Sequence, residues 1–479
     1  MIKTLIYTTE NNNSYIYDHE SRLSMLIHPE LKKAHENPTE ANSYYLQKYE
    51  YLKKYGLFSD PKPSTFGTLN EYMIKESITK TSQITFEVTD FCNLNCLYCS
   101  FGDLYEGFDD RNIKNIDINY AKRMLKYIFK LKSESKTKNL IIGFYGGEPL
   151  FNGNFIENII NFVNTLNSKK EIKVEYSMTT NATLIHKYIK LLVEYNFDLL
   201  ISLDGNEKNH SYRYYRNTKT NSFHKVIENI DMIQNNYPEY FRKHVRFNAV
   251  LHNRNSVKEI YEFIYGRYKK IPRIAELAFD DLKPEKKNDY DKIFNSKLNS
   301  ENSFKNEKTT LLDIMHTELS TYKELVNFLK YNSVNFYISN IISLLYEVEK
   351  YLPTSTCLPG GKKILMTTNN KLLPCERVNY KYAIGEVNKE VILDIPKITQ
   401  RYKFYFDHIK NVCKHCYSNK FCNTCLFHIK GIDNVDSKEF ICEYFCNSKK
   451  FTDRLYRIFS FLEKNPNDFY QIIENEVIL

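Results

Sequence analysis

The chain has 479 residues, 42% of them hydrophobic and 26% charged, a length that allows two or three domains with sizeable cores. Its 67 Lys and Arg residues outnumber its 58 Asp and Glu residues, which gives a net charge of +9. Because these charges are interspersed instead of gathered in one arm, they argue against a nucleic-acid partner and leave an acidic peptide partner open.

Targeting and membrane segments are not expected. The first residues turn polar at Thr8, too early for the apolar core of a secretory signal, and no stretch approaches the ~20 apolar residues of a membrane span. The sequence therefore predicts a cytoplasmic protein without a membrane partner. In that reducing compartment its 11 cysteines are better explained as metal ligands than as disulfides.

Residues 1–78 are predicted to form a small module. Three short strand-like runs separated by turn-rich segments come first: Lys3–Tyr7, Ser14–Tyr17 and Leu23–Ile27. Two helical stretches, 29–35 and 41–55, and a linker at 60–68 follow. This order resembles the winged-helix-like peptide-recognition elements of peptide-modifying enzymes, which bind a leader peptide as an added strand. A plain capping extension of the next domain is the alternative.

Residues 82–280 alternate strand-like and helical runs. The candidate strands are Ile84–Val88, Leu140–Tyr145, Lys173–Thr179, Leu199–Leu203, Val245–Leu251 and Ala275–Phe279. Amphipathic helices are predicted between them, at 120–131, 155–166, 186–195, 224–234 and 256–265. Repeated strand–helix units with short connections predict an α/β fold with a parallel sheet covered by helices.

The rest of the chain divides into three segments. Residues 281–350 are predicted to be a linker region, polar at first and helical at about 311–331 and 335–351. Residues 351–450 hold eight of the cysteines, and residues 451–479 are predicted to form a helical tail.

Three cysteines, Cys92, Cys96 and Cys99, follow the first strand of the α/β region in one short loop. A structural zinc site needs four N or S ligands, whereas a cubane iron–sulfur cluster held by three cysteines leaves one iron open. The spacing alone also allows a zinc ribbon, a redox dithiol or a disulfide. With Tyr98 before the last cysteine, the loop resembles the signature of the radical S-adenosylmethionine (SAM) superfamily.

The resemblance implies a fold and a first ligand set. In that family the open iron binds the amino and carboxylate groups of SAM, and a partial (β/α)6 TIM-like barrel carries the cluster loop at the carboxyl end of its first strand. Gly146, Gly147 and Glu148 resemble the family's GGEP motif, whose backbone and acidic residue receive the SAM ammonium. Glycines there let the backbone approach a ligand closely.

Two later motifs follow at successive strand ends. Asn181 lies in a segment similar to the family's TNGT motif, but Ala182 stands where glycine is usual, and alanine tolerates a positive φ less well. Ser202 matches the SAM-contacting serine of the family's SLDG motif. An arginine downstream, Arg213 or preferably Arg216, would then pair with the SAM carboxylate through its planar guanidinium.

The eight later cysteines resemble a SPASM domain, the auxiliary iron–sulfur domain of peptide- and protein-modifying radical SAM enzymes. By that resemblance an outer cluster is held by Cys413, Cys416, Cys422 and Cys442, and an inner one by Cys357, Cys375 and Cys425. Cys446 or a substrate thiolate would complete the inner set. The chain departs from the family in one cysteine spacing and in Asn370, which replaces a glycine and is the residue next best able to enter a left-handed turn. Two zinc sites are the alternative.

The resemblance thus implies an enzyme with SAM and three [4Fe–4S] clusters, one binding SAM and two auxiliary. Fed by a flavodoxin- or ferredoxin-type reducing partner, it would generate a 5′-deoxyadenosyl radical and modify a leader-bearing precursor peptide through a thioether or other side-chain crosslink. One alternative is a sulfatase maturase that makes formylglycine, with Glu376 as base in place of the usual aspartate. Another is a noncatalytic zinc-binding interaction protein.

Overall fold

The computed structural model describes residues 2–19, 22–55, 64–304, 318–329, 351–472 and 474. The chain forms two compact units. Unit 1 comprises Met1–Leu69, Thr317–Thr356 and Arg401–Leu479, and unit 2 comprises Asn70–His316 and Cys357–Gln400. The cysteine-rich segment predicted at 351–450 is therefore divided between the units, and its residues Cys357–Gln400 belong with the α/β region.

Unit 1 begins with a three-stranded antiparallel sheet. Its strands, in the order β1-β2-β3, are β1 (Leu5–Thr8), β2 (Ser14–Asp18) and β3 (Leu23–Ile27), and they are followed by helices α1 (Pro29–Glu36) and α2 (Ser43–Lys54). Asn42 caps α2 by accepting a hydrogen bond from the amide of Tyr44 at 3.0 Å. Ile16 and Ile27 of the sheet pack against Leu31 and Ala34 of α1. The predicted order of three strands and two helices is confirmed.

Unit 2 contains six consecutive parallel strands in sequence order. They are β4 (Gln83–Thr89), β5 (Asn139–Gly146), β6 (Lys173–Thr180), β7 (Asp198–Ser202), β8 (Val245–Val250) and β9 (Arg273–Ala275). The helices before and between them are α3 (Glu71–Thr79), α4 (Ile118–Glu134), α5 (Gly153–Leu166), α6 (Ile185–Glu194), α7 (Phe223–Asn236), α8 (Pro238–His244) and α9 (Val257–Tyr268). The predicted α/β fold with a parallel sheet is confirmed.

The sixth predicted strand is displaced along the chain. Ala275–Phe279 is not a strand; the strand ends at Ala275, whose carbonyl accepts from the amide of Leu251 at 2.8 Å. The apolar Leu277, which supported the prediction, instead packs beside Tyr98 and Tyr105 in a separate buried cluster. Leu277 is apolar because it is buried in a loop contact, and its apolar character made residues 275–279 resemble a strand in the sequence.

The segment after β9 holds two short helices, α10 (Lys287–Ile293) and α11 (Lys297–Asn302), where a polar excursion was predicted. Within the predicted helix at 311–331 the structure describes α12 (Ser320–Phe328). The predicted helix at 335–351 lies, but for its last residue, outside the described residues.

Four short strands extend the sheet beyond β4. The strand β10 (Lys363–Met366) pairs in parallel with β4, and β11 (Lys371–Leu373), β12 (Gly385–Val387) and β13 (Val391–Ile392) continue antiparallel, giving a ten-stranded sheet. Asn370 adopts φ 64° at the β10–β11 turn, the left-handed conformation for which this residue was singled out. These strands of two to four residues carry too little pattern to be predicted, yet they attach Cys375 and Glu376 to the sheet.

The carboxyl-terminal helices are α13 (Ile395–Cys413), α14 (Ser448–Lys464) and α15 (Pro466–Ile472). In unit 1, Tyr7 and Tyr17 of the amino-terminal sheet share a buried core with Phe451 and Leu455 of α14. The side chain of Glu463 accepts hydrogen bonds from residues of β2 and of the β1–β2 turn. The amino-terminal module and the helical tail therefore fold around one core.

Candidate active site

The loop that carries Cys92, Cys96 and Cys99 follows β4, at the carboxyl edge of the parallel sheet. Asp90 holds the base of this loop, because its carboxylate accepts hydrogen bonds from the amides of Asn112 at 2.9 Å and Lys114 at 2.7 Å. These two hydrogen bonds join the start of the cysteine loop to residues 112–114, which follow the loop in the chain.

A glycine turn from the neighbouring strand β5 lies against the cysteine loop. The amide of Gly147 donates to the carbonyl of Thr89 at 2.8 Å, and the amide of Glu148 donates to the carbonyl of Phe91 at 2.9 Å. A Cβ atom at Gly147 would overlap that carbonyl of Phe91, and Gly146 has φ 122°. Only glycine fits this approach, so the turn sets the backbone of the loop that carries Cys92.

The carboxylate of Glu148 is fully buried and points to the next strand. It accepts from the hydroxyl of Thr180 at 2.8 Å, the amide of Asn181 at 2.7 Å and the amide of Leu150 at 3.2 Å. Burial raises the pKa of Glu148 to about 7, although these three donors act in the opposite direction. In this structure Glu148 is a positioning residue, and its predicted contact with SAM stays a prediction.

Asn181 reaches back to the cysteine loop. Its Nδ2 donates to Oδ1 of Asn93 at 2.9 Å and lies 3.6 Å from Sγ of Cys92, while its Oδ1 accepts from Thr183. Ala182 adopts φ 65°, so the position where the family usually has glycine is left-handed here as well. Three strand ends therefore converge on Cys92.

The three cysteines fit a bound iron–sulfur cluster by the chemistry around them. Burial raises the pKa of Cys92 to about 12, with the charge of Glu148 adding to the effect, and burial also raises the pKa of Cys96. A bound cluster would take these groups as thiolates, so its binding would release their protons. The amide of Leu94 lies 3.4 Å from Sγ of Cys92, a donor of the kind that tunes cluster sulfurs.

The two candidate arginines differ in their partners. Arg213 is buried and engages Asp204 through Nε and Nη2, both at 2.9 Å. Arg216 is exposed and donates from Nε to the carbonyl of Cys92 at 3.2 Å. The geometry favours Arg216 for a ligand carboxylate at this loop, whereas the SAM contact of Ser202, at the end of β7, stays a prediction.

Glu376 follows β11 and pairs with Lys363 of β10 at 3.1 Å. Tyr145, near the end of β5, is half-buried, and its loss of solvation, with the charges of Glu376 and Cys99 adding to it, raises its pKa. The segment also presents Cys375, whose Sγ lies 3.4 Å from the amide of Arg377. A carboxylate is thus present on the sheet that carries the cysteine loop, and its role as a base stays a prediction.

The later cysteines separate by unit. Cys357 and Cys375 belong to unit 2, whereas six lie in unit 1: Cys413, Cys416, Cys422, Cys425, Cys442 and Cys446. The predicted inner ligand set stays a prediction. Within the described ranges, no group of three His, Cys, Asp or Glu residues is arranged around a single metal ion.

The predicted outer set is grouped within unit 1. Burial raises the pKa of Cys413, and the charges of Cys416, Cys422 and Cys442 act on it in the same direction. The amide of Cys446 donates to Sγ of Cys416 at 3.3 Å. Cys446 therefore lies beside the outer set, and its predicted service to the inner cluster has no support from its surroundings.

Sequence reasoning missed the residues that hold the site together. Thr180, Asp90 and Asp204 each bind loop amides or side chains at the carboxyl edge of the sheet. The signal was present, because each is a hydrogen-bonding residue that follows a predicted strand within two positions.

One protein-family model matches the part of the chain that contains this site. Residues 86–264 match the model of the radical SAM superfamily. That range begins in β4 and ends within α9, so it contains the cysteine loop, the glycine turn and both arginines.

Curated relatives match parts of the chain. An uncharacterised protein of Methanocaldococcus jannaschii is 31% identical over 43% of this chain and 64% of its own. The radical SAM cyclopropyl synthase TigE of Paramaledivibacter caminithermalis is 29% identical over 35% of each chain. A cysteine-type anaerobic sulfatase-maturating enzyme of Clostridium novyi is 34% identical over 31% of this chain and 39% of its own. The chain thus spans less than two thirds of the length of each of these relatives.

A solved structure shares the fold. Native anSMEcpe with bound AdoMet and Kp18Cys peptide superposes with a TM-score of 0.51 and 18% identity, over 82% of this chain and 98% of that one. No helix among the described residues is long and apolar enough to cross a membrane. The family match over residues 86–264, together with the three-cysteine loop and the glycine turn at the sheet's carboxyl edge, shows that this part of the chain is similar to the radical SAM superfamily.

Proposed function

We propose that this chain is a radical SAM maturase that introduces a thioether or other side-chain crosslink into a ribosomally made precursor peptide. The observation that carries the proposal is the junction at Cys92, where Gly147, Glu148 and Asn181 from two neighbouring strands fix the cysteine loop. Such a preorganised junction supports binding of a cluster and SAM at the loop.

The roles of the chain's own residues follow from the junction. Cys92, Cys96 and Cys99 would hold the cluster, the backbone beside Gly146 and Gly147 would receive the SAM amino group, and Arg216 would receive its carboxylate. When bound, a cluster at these cysteines would supply the electron for reductive cleavage of SAM, which is the source of the radical chemistry proposed for the peptide. Cys413, Cys416, Cys422 and Cys442 would hold an outer auxiliary cluster, and Cys357, Cys375 and Cys425 an inner one, which would take up the surplus electron.

The amino-terminal sheet supports a peptide partner. It ends at β3, an edge strand whose Leu26 is 62% exposed. An edge strand with an outward apolar side chain is suited to adding a peptide strand from a leader. A flavodoxin- or ferredoxin-type protein would supply electrons.

The sulfatase-type maturase is the second candidate, and one specific similarity favours it. The Clostridium novyi relative is named a cysteine-type anaerobic sulfatase-maturating enzyme. Glu376, which occupies the position of that family's aspartate base, pairs with Lys363 on the sheet that carries the cysteine loop. Replacing Glu376 by Gln would abolish formylglycine formation in this case and leave crosslinking largely intact in the other.

Incubation of the reconstituted full chain with SAM, a reductant and a cysteine-rich leader-bearing peptide tests the proposal. Crosslinking predicts loss of two hydrogen atoms from the peptide by mass spectrometry, with 5′-deoxyadenosine formed alongside, and Cys92→Ala is the inactive control. Turnover of a sulfatase peptide alone would support the second candidate. Metal analysis comes first: three clusters predict about 12 Fe per chain, and a colourless protein holding only zinc contradicts both candidates.

A further inference from the structure

The cysteine loop is paired, backbone to backbone, with the segment that carries Arg213. Three pairs share one antiparallel register: Asn95 with Tyr214 at 2.8 Å, Leu97 with Tyr212 at 3.2 Å, and Leu94 with Tyr215 in a bridge. This register sets Cys96 opposite Arg213. The two form a pair without mutual backbone hydrogen bonds, the kind in which side chains lie closest together.

Arg213 does not offer its guanidinium to solvent. Its Nε and Nη2 donate to the two carboxylate oxygens of Asp204, each at 2.9 Å, and the two side chains are 8% and 0% exposed. The amide of Val250 also donates to Asp204 at 2.9 Å. A bidentate pair buried this completely has little freedom to exchange partners.

Tyr98 completes the arrangement from within the loop. Its hydroxyl donates to Asp204, its ring stacks on His252 with centroids 5.5 Å apart, and the guanidinium of Arg213 lies 5.3 Å from its ring centroid. Since Tyr98 stands between Cys96 and Cys99, the loop is joined to the ion pair by a side chain as well as by its backbone.

We propose that Arg213 and Asp204 form a charge-balancing pair for the cluster at Cys92, Cys96 and Cys99, with Tyr98 fixing the loop to that pair. The inference rests on the proposed function, because it presumes a cluster at these cysteines. All three are positioning residues that touch no substrate, so Arg213 is not the partner of the SAM carboxylate. The cation favours the reduced cluster, which carries more negative charge, and the carboxylate offsets that effect.

The signs of the substitutions follow from the charges. Arg213 cannot lose its proton, so Asp204→Asn leaves an unbalanced cation opposite Cys96 and favours reduction. Arg213→Met removes the cation that offsets the carboxylate of Asp204, and so favours oxidation. The double variant removes both charges and returns to the wild-type balance. A merely structural role would not produce opposite signs and cancellation.

The test is a redox titration of reconstituted full-length protein, following the cluster whose electron paramagnetic resonance signal changes when SAM is added. At the wild-type midpoint potential, we expect Asp204→Asn to shift the ratio of reduced to oxidised cluster at least about tenfold toward reduced, which is 59 mV for a one-electron couple. Arg213→Met should shift it toward oxidised. Asp231→Asn, which breaks the exposed pair with Arg267 on the outer helices, is the control and should cause no shift.

Each outcome of the redox titration either supports or overturns the charge-balance inference. Equal shifts in Asp204→Asn and the double variant, or no shift in either despite a normal signal, overturn the charge-balance inference. If Asp204→Asn does not load iron, Arg213→Met still decides, because no shift or a shift toward reduced overturns it. A wild-type protein without any SAM-responsive signal refutes the proposed function itself, which separates the two failures.

Discussion

The carboxylate of Glu148 accepts a hydrogen bond from the backbone amide of Asn181 at 2.7 Å, and so joins the ends of two neighbouring parallel strands. Asn181 in turn lies against Cys92. The sequence resemblance predicts that Glu148 contacts SAM. In the structure its buried carboxylate binds Asn181, and this hydrogen bond helps to set the geometry of the cysteine loop.

Glu148 predicts a pH dependence of stability. Burial raises its pKa to about 7, above the unfolded value near 4.3, so the folded state binds the proton more tightly. Its stabilising contribution is full below about pH 4 and is lost as the pH rises through about 7. We expect the free energy of unfolding of the wild type to fall relative to Glu148→Gln across this window, by at most about 4 kcal/mol. Denaturant unfolding of both proteins at several pH values measures it, and a parallel pair of curves would contradict it.

Gly147→Ala should disrupt the loop that carries Cys92. The new Cβ would overlap the backbone of Phe91, which cannot move without shifting the loop. We expect a cost of about 1–3 kcal/mol or more in unfolding free energy and a loss of bound iron. Gly266→Ala is the matched control, because a Cβ there meets nothing within 4 Å and the helix α9 should gain up to about 1 kcal/mol. Normal iron content in Gly147→Ala would contradict the role of the turn.

Arg216→Met should weaken SAM binding with the cluster intact. Arg216 is exposed beside the carbonyl of Cys92. A hydrogen-bonded charge pair between its guanidinium and the SAM carboxylate would contribute about 1.5–3 kcal/mol, or about 10- to 100-fold in affinity. Equilibrium binding of SAM to reconstituted protein measures the effect, with iron content as the check on folding. Arg267→Met on the outer helices should bind SAM normally. Unchanged affinity in Arg216→Met would exclude Arg216 from the SAM site.

Ala182→Gly should stabilise the chain. Ala182 is left-handed at φ 65°, a conformation that costs a residue with a Cβ about 1–2 kcal/mol, less the packing of one buried methyl group. Asn370→Gly, at φ 64°, should change stability by less, because asparagine tolerates this region better than alanine. Thermal unfolding of both variants measures the difference, and a larger gain at Asn370 would reverse the argument.

Cysteine variants in unit 1 should separate ligands from neighbours. Cys416→Ser should lose about 4 of about 12 Fe per chain, because it removes a ligand of the proposed outer cluster. Cys446→Ser should keep its iron, since the backbone amide of residue 446, which the substitution retains, donates the hydrogen bond to Sγ of Cys416. Iron and sulfide analysis after reconstitution measures both. Equal loss in the two variants would make Cys446 a ligand.

Much of the fold was accessible from local pattern. The strands and helices from β4 to α9 follow apolar periodicity because each buries one face against its neighbours, and the strand order follows from short right-handed connections. The prediction failed where length or context overrode the pattern. The strands β10–β13 are too short to show alternation, and Leu277 is apolar because of a loop contact outside the sheet.

The sequence by itself determined which residues can do chemistry: the spacing of Cys92, Cys96 and Cys99 and the glycine turn are properties of short, contiguous segments. Only the tertiary structure decided their partners. In the folded chain Arg213 binds Asp204, whereas Arg216 binds the carbonyl of Cys92 in the cysteine loop. Each side chain binds the group that strands distant in sequence bring within hydrogen-bond distance. The same long-range pairing attached residues 357–400 to the sheet of the cysteine loop.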